Sequence, residues 1–138
     1  MPGALTIIGD RTKTARGDSG QAVLEFALVV PVLLFVIVAI IQFAVLYSNY
    51  VTLTDATRVG ARVAAVSRTT CPGNTEQAVR DSASTLKQAD LNVTVTACPW
   101  TPGGQVTVTA TYPYEIDLLG FIPVASGNLT SETTERVE

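Results

Sequence analysis

The feature that most constrains this chain is a stretch without charge between Glu25 and Asp55. Within it, residues 27–46 have the sequence ALVVPVLLFVIVAIIQFAVL, interrupted by Pro31 and Gln42. As an α-helix these residues reach about 30 Å, the thickness of the hydrocarbon core of a bilayer. The run is apolar on every side, and a chain of 138 residues has too little surface elsewhere to bury all of its faces. The sequence therefore predicts a membrane-spanning helix.

A cleaved secretory signal peptide is the alternative explanation of an apolar run near an N-terminus. The apolar region of such a peptide is about 7–15 residues long and ends at a cleavage site of small residues. Here the run is longer and continues into LYSNYVTL, which has no such pattern. We therefore expect the helix to remain in the protein.

Composition and motifs exclude several classes of function. The net charge is −3 and the basic residues are scattered, so we expect no surface for nucleic acid. The sequence GDSG, which ends at Gly20, matches the nucleophile segment of chymotrypsin-like proteases, with Ser19 as the hydroxyl. That chemistry needs a histidine base, and the chain has no histidine. Two cysteines alone are too few for a structural zinc site, so we predict neither an enzyme nor a cofactor.

Glu25 directly precedes the apolar run, where a carboxylate is expensive to insert into a membrane. One explanation is that its side chain reaches back to the interface. However, Gly20 lies five residues earlier, behind a short basic leader, and Phe26 follows. This G-x-x-x-x-E-[FY] pattern resembles the processing site of type IV pilins and pseudopilins. The longer sequence GQAVLEFALVVPVLLFVIVAIIQFAVLY, followed by DATRVGARVAA, resembles TadE-like proteins of the tight-adherence (Flp) pilus system.

The resemblance implies that a prepilin peptidase cuts between Gly20 and Gln21. Residues 1–20 would then be a cytoplasmic leader, and Glu25 and Phe26 would be assembly residues near the new N-terminus. It also implies a location in the bacterial cytoplasmic (inner) membrane or in the pilus. The expected partners are the peptidase, other pilins and pseudopilins, the membrane components that assemble them, and the lipid bilayer.

The physical chemistry of the segment agrees with that processing. Cleavage would create an α-amino group on Gln21, and an unpaired ammonium is expensive in a medium of low dielectric constant. Glu25, one turn later, can neutralise the amine of its own chain or of a neighbour, and it favours the positive end of the helix dipole. Residues before Gly20 have low helix propensity and those after it high propensity, so we predict a coil-to-helix boundary at the Gly20–Gln21 bond.

The orientation rests on basic residues and cysteines. Three basic residues precede the span and two follow it soon after: Arg11, Lys13, Arg16, Arg58 and Arg62. This asymmetry weakly favours a cytoplasmic N-terminus. A disulfide between Cys71 and Cys98 requires an oxidising compartment, whereas two free buried thiols are the alternative. Together these features predict an extracytoplasmic C-terminal part.

After the membrane the periodicity extends the helix to Arg68, with Val59, Val63 and Val66 on its apolar face. Ala56, Gly60 and Ala64 recur every four residues, which permits close helix approach but also arises by chance in an alanine-rich helix. A second helix is predicted over Thr75–Ala89, opened by a capping pair of Asn74 and Gln77, with its apolar face formed by Val79, Ala83 and Leu86.

Two alternating runs, Leu91–Ala97 and Gln105–Tyr112, predict an antiparallel hairpin, and residues 128–137 are a candidate third strand. The segment PYEIDLLGFIPV between them is expected to be an irregular connector that packs on the sheet or dips toward the membrane.

We therefore predict an α+β protein with three parts: a leader (residues 1–20), a transmembrane helix that continues as a stalk (21–68), and a small head (69–138) with one short helix and about three antiparallel strands. The predicted function is that of a minor pseudopilin in pilus assembly and adhesion. The alternative is an uncleaved single-pass membrane protein whose outer domain binds a partner or ligand.

Overall fold

The computed structural model describes residues 15–67, 72–96, 101–118 and 122–138. Two helices are followed by three strands: α1 (Ala15–Val66), α2 (Gly73–Ser82), β1 (Asn92–Val95), β2 (Gln105–Leu118) and β3 (Ile122–Arg136). The predicted α+β class, with a long apolar N-terminal helix and a three-stranded antiparallel sheet, is confirmed. Contacts within the chain group it into two compact units, Met1–Val38 and Ala39–Glu138.

The long helix α1 has 52 residues and contains Pro31. Its C-terminal end, Val66, agrees with the predicted stalk, but its start at Ala15 does not agree with the predicted boundary at Gly20. The expectation of a coil-to-helix boundary there is wrong. Extending a formed helix by one residue costs little, and even a glycine costs only about 1 kcal/mol relative to alanine, so the apolar run carries the helix back through GDSG.

The sheet has the order β1-β2-β3, with both pairs antiparallel. The predicted hairpin is confirmed, since Val93 lies opposite Ala110 and Val95 opposite Val108. The prediction of an irregular connector for PYEIDLLGFIPV is wrong, because β2 continues to Leu118 and β3 begins at Ile122. Aromatic and β-branched residues in this segment favour the extended chain, and pairing along its whole length satisfies the backbone.

Proline 113 is compatible with the middle of β2 because of where β1 stops. Pairing of β1 with β2 ends at Asn92 and Thr111, so at Pro113 one side of β2 is a sheet edge. Proline lacks an N–H group and is tolerated at such an edge.

The second helix is shorter than predicted, since α2 ends at Ser82. The predicted capping pair is wrong: Pro72 precedes the helix without a side-chain cap, and the Gln77 amide donates to Asp81 Oδ1 at 2.7 Å. Beyond α2, Gln88 Nε2 donates to the carbonyl oxygen of Ala83 at 2.9 Å. This contact holds the following residues in turns instead of a further helical turn.

The core lies between α1, α2 and the sheet. Its largest fully buried side chains include Leu53, Val79, Val106 and Val108. The predicted burial of Val79, Ala83 and Leu86 is confirmed, although only Val79 lies on α2 and the other two follow its end. On α1, however, the predicted valine face is not the buried one: Val59 is 44% and Val66 is 66% exposed, and Val63 is half-buried. Beyond Leu53 the buried face of α1 is made of small residues.

The end of the chain closes this core. Val137 is buried, and its carbonyl oxygen accepts from the Gly103 N–H at 2.9 Å. The N–H of Glu138 donates to the carbonyl oxygen of Ala65 on α1 at 3.2 Å. The last two residues therefore belong to the packed structure.

Candidate functional site

The predicted processing and assembly residues lie near the N-terminal end of α1. Gln21 and Glu25 are one helical turn apart, and the side-chain amide of Gln21 donates to Glu25 Oε1 at 3.1 Å. Both residues are exposed. The helix thus brings Glu25 within hydrogen-bond distance of a nitrogen donor on residue 21, which is the residue that would carry the new α-amine.

Gly20 has open space around it. A Cβ atom built on this residue would have no atom within 4 Å, apart from the helix backbone and chain neighbours. Its backbone is helical, which any residue adopts. Packing within the described chain therefore does not require a glycine at position 20. If a glycine is required, the requirement comes from another molecule that acts on this residue.

The residues that follow present large apolar side chains to the outside. Val23, Leu24, Phe26 and Leu28 are between 67% and 71% exposed. An apolar window of 18 residues within Gly20–Val66 meets the length and composition needed to cross a membrane, and none of it is buried. Since nothing in the described chain covers this surface, it suits a lipid environment.

Toward its C-terminal end the same helix presents small residues to the head. Ala56, Gly60 and Ala64 are all buried, so the stripe seen in the sequence has a packing role. A Cβ atom on Gly60 would overlap Val79 Cγ2 and would lie 3.6 Å from Val108 Cγ1. Gly60 is therefore a point where α2 and β2 both approach α1 closely.

Two polar contacts between α1 and the sheet escaped the sequence analysis. The hydroxyls of Thr57 and Ser131 are 2.8 Å apart and buried, although 74 residues separate them. Gln42 Nε2 donates to the carbonyl oxygen of Asp117 at 3.0 Å. A polar contact of Gln42 could have been expected, since it is a lone polar residue in the apolar run. Nothing in the sequence indicated the contact between Thr57 and Ser131.

A polar cleft of about 460 Å³ lies beside this second contact. It is lined by α1, the residues after α2, and β2: Gln42, Val45, Leu46, Asn49, Lys87, Asp90 and residues 112–117. Among the described residues no group of three or more His, Cys, Asp or Glu side chains could hold a metal ion. The predicted disulfide residues, Cys71 and Cys98, lie outside the described residues.

Comparison with known proteins bears on the N-terminal helix. Residues 20–62 match the family model described as TadE-like protein. This segment is TadE-like. The match lies entirely within α1, and it confirms the resemblance that the Gly20, Glu25 and Phe26 pattern suggested. No curated protein and no solved structure matched the chain significantly.

The TadE-like match, which covers less than half of the chain, relates this segment to a family of the tight-adherence pilus system, and that family is not an enzyme family. The matched residues coincide with the apolar, uncovered helix. A single such helix is weak evidence by itself, but together with the TadE-like match it indicates a membrane-anchored protein.

Proposed function

We propose that this TadE-like chain is a minor pseudopilin of a tight-adherence pilus, processed by a prepilin peptidase after Gly20. The observation that carries the proposal is the position of Glu25. The TadE-like match begins at Gly20, and the Glu25 carboxylate lies one turn from residue 21 and already accepts a hydrogen bond from it. After cleavage the same carboxylate can accept from the α-ammonium of Gln21.

That pairing gives Glu25 a function in assembly. An ammonium and a carboxylate both lose hydration when a helix end enters lipid or a helix bundle, and each lowers the cost of the other. In an isolated chain Glu25 pairs with its own amine. In a filament or assembly complex it can pair with the amine of a neighbouring chain, and this fixes the axial register of the two helices.

The peptidase has to act on a bond that lies within a helix. The Gly20–Gln21 bond lies inside α1, and a protease needs its substrate extended. Glycine gives low helix propensity at this bond and offers no side chain to obstruct the approach. Local unwinding of the first turns of α1 is therefore part of the proposed processing step.

The same helical continuity favours the alternative function, an uncleaved single-pass protein whose outer domain binds a partner or ligand. An intact helix through Gly20 is a poor protease substrate. The two functions differ in whether the leader remains on the protein in the membrane.

For topology we propose a cytoplasmic N-terminus in the inner membrane of a bacterium, with an extracytoplasmic head. The basic residues before the apolar run support the first part. A disulfide between Cys71 and Cys98, proposed as a structural crosslink of the head, fits an oxidising compartment.

The intact mass of the membrane-extracted protein, produced together with its peptidase, tests the proposal. We expect loss of residues 1–20 and a mature N-terminus at Gln21. Gly20→Val should remain as precursor, because the added side chain obstructs the scissile bond. Gly17→Val, which adds the same side chain to the leader away from the bond, is the matched control and should be cut normally. An intact leader on the wild-type protein, or normal cutting of Gly20→Val, would favour the alternative.

A further inference from the structure

The end of the β2–β3 hairpin lies beside an apolar part of α1. Gln42 Nε2 donates to the carbonyl oxygen of Asp117, one residue before the end of β2. The side chains around Gln42 are apolar and exposed: Ile40 is 63%, Ile41 is 57% and Phe43 is 67% exposed. The hairpin therefore reaches a level of the helix whose surface suits lipid.

The strand register explains why Asp117 offers its carbonyl oxygen to a side chain. Asp117 lies opposite Pro123, which has no N–H group to donate across the sheet, and the pairing is irregular between Ile116 and Asp117. Gln42 supplies a donor at this point. In return, a polar side chain in an apolar run finds a partner, which it needs near a membrane.

The hairpin end also carries an outward apolar side chain. Among the described residues, Val124 is the one exposed large hydrophobic residue that does not belong to α1, and it is 62% exposed. It lies on β3, two residues after the first residue of the strand. The described hairpin end thus exposes one large apolar side chain, at the level of the apolar, exposed part of the helix.

Tyrosines on α1 give the depth of this level. Tyr47 and Tyr50 are 60% and 44% exposed, and tyrosines concentrate at the interface between membrane and water. Gln42 is five residues before Tyr47, which corresponds to about 8 Å along a helix. The headgroup layer on one side of a bilayer is about 5–8 Å thick. Gln42 and Asp117 are then near the inner edge of that layer, where a carboxylate still reaches water.

We propose that the end of the β2–β3 hairpin, around Asp117 and Val124, is a second membrane contact of this protein. It enters the leaflet on the side of the head, in the same bilayer that α1 spans. Lipid is the occupant because the Gln42–Asp117 hydrogen bond holds the hairpin end, with its exposed Val124, at the level of the exposed apolar side chains of α1 around Gln42. The inference rests on the membrane-anchored helix and is independent of leader cleavage.

The consequence is a defined height of the head above the membrane. A single helix leaves the head free to tilt about the point where the chain leaves the lipid. A second contact, joined to the helix by the Gln42–Asp117 hydrogen bond, restricts that tilt and presents one side of the sheet to neighbouring molecules.

Depth-dependent fluorescence quenching tests the proposal on the full chain with its leader. The one native tryptophan is first removed by Trp100→Phe, so that a tryptophan introduced by Val124→Trp is the only one that emits. The protein is reconstituted in phosphatidylcholine–phosphatidylglycerol vesicles whose acyl chains carry bromine on their upper part. Glu132→Trp, at an exposed position on the same strand but away from its tip, is the matched control.

We expect the emission of Val124→Trp to shift to the blue and to be largely lost in brominated vesicles, and that of Glu132→Trp to change in neither respect. Iodide, which quenches from the water, should quench the emission of Glu132→Trp more strongly than that of Val124→Trp. Circular dichroism checks that each variant folds, and Ala125→Trp, also exposed, replaces Val124→Trp if that variant does not. Equal bromine quenching at positions 124 and 132 would overturn the proposal. Since the leader stays on in this experiment, its outcome is separate from that of the processing test.

Discussion

The two ends of α1 differ in the size of the side chains and in what covers them. Up to Val38 the helix exposes large apolar residues, with Leu28 at 71% and Phe35 at 45% exposure. Beyond Leu53 it buries small ones, and Ala56, Ala61 and Ala64 are fully covered. The second region also carries the charges of Asp55, Arg58 and Arg62 on its exposed side. On its covered side the residues are small, which lets the folded head approach closely, while the large side chains of the first region provide area for an environment outside the chain.

The largest expected effect concerns the exposed region. Glu25→Gln removes the charge but keeps the shape, so membrane insertion should be unchanged or easier. Pilus assembly should fall to a small fraction of the wild-type level, because the proposed partner of the Gln21 α-amine is lost. Piliation measured together with the protein level in the membrane fraction checks this.

The matched control for Glu25→Gln is Glu135→Gln, which removes an exposed carboxylate of the head on β3, away from the hairpin end. Piliation should be unaffected by it. Wild-type piliation in the Glu25→Gln strain would contradict a role of Glu25 in assembly. The carboxylate would then only reach back to the membrane interface.

The next largest effect concerns the proposed crosslink of the head. Replacing both Cys71 and Cys98 by serine should lower the free energy of unfolding by about 3–4 kcal/mol on the chain-entropy estimate. Urea unfolding of the detergent-solubilised protein, followed by near-ultraviolet circular dichroism, measures it. Adding reductant to the wild type should have a similar effect and should not affect the serine variant. Maleimide labelling of both thiols before reduction would contradict the crosslink.

Gly60→Ala tests the close approach in the buried region. Overpacking costs about 1–3 kcal/mol, and the gain in helix propensity offsets about 1 kcal/mol of it, so we expect a net loss of up to about 2 kcal/mol. Val79 is fully buried and β-branched, so it cannot easily move away. Gly20→Ala is the matched control, since a Cβ there meets open space, and the stability of the head should stay the same. Equal stability of both variants would remove the distinction drawn between the two regions.

The smallest effect is expected at the buried hydroxyl pair. Ser131→Ala removes one contact of Thr57, whose hydroxyl still donates to the carbonyl oxygens of Leu53 or Thr54. We expect a loss of about 1 kcal/mol in unfolding free energy. Thr54→Val, which removes a hydroxyl bonded only within the helix, should change stability by less than about 0.5 kcal/mol. A double-mutant cycle of Thr57→Val with Ser131→Ala that gives no coupling would contradict a direct contribution of the pair.

The sequence predicted the kinds of elements well, because their signals are local. The apolar run, the alternating valines and threonines, and the apolar face of α2 each depend on neighbours within a few residues. Element ends were predicted less well: α1 begins before Gly20 and α2 ends at Ser82. Propagation of a formed helix and the side-chain contacts of Gln88 determine those ends, and neither appears as a local pattern.

Packing partners were the least predictable. Periodicity pointed to Val59 and Val66 as the buried face of α1, yet Gly60 and its alanine neighbours pack on the head. Which face of α1 is buried depends on Val79 and Val108, and these residues contact the Gly60 position only in the tertiary fold. In the same way Gln42 and Asp117 meet across 75 residues of sequence. At the candidate site the spacing of Gly20, Gln21 and Glu25 was predictable, since one turn of a helix determines it.

The packed C-terminal end has a practical consequence for anyone who wishes to label this protein. Val137 fills the core and the Glu138 N–H is bonded to α1, so a tag fused directly after Glu138 starts at a residue that is already held in place. A bulky fluorescent domain there would pull on Val137 unless a flexible glycine–serine spacer separates the two.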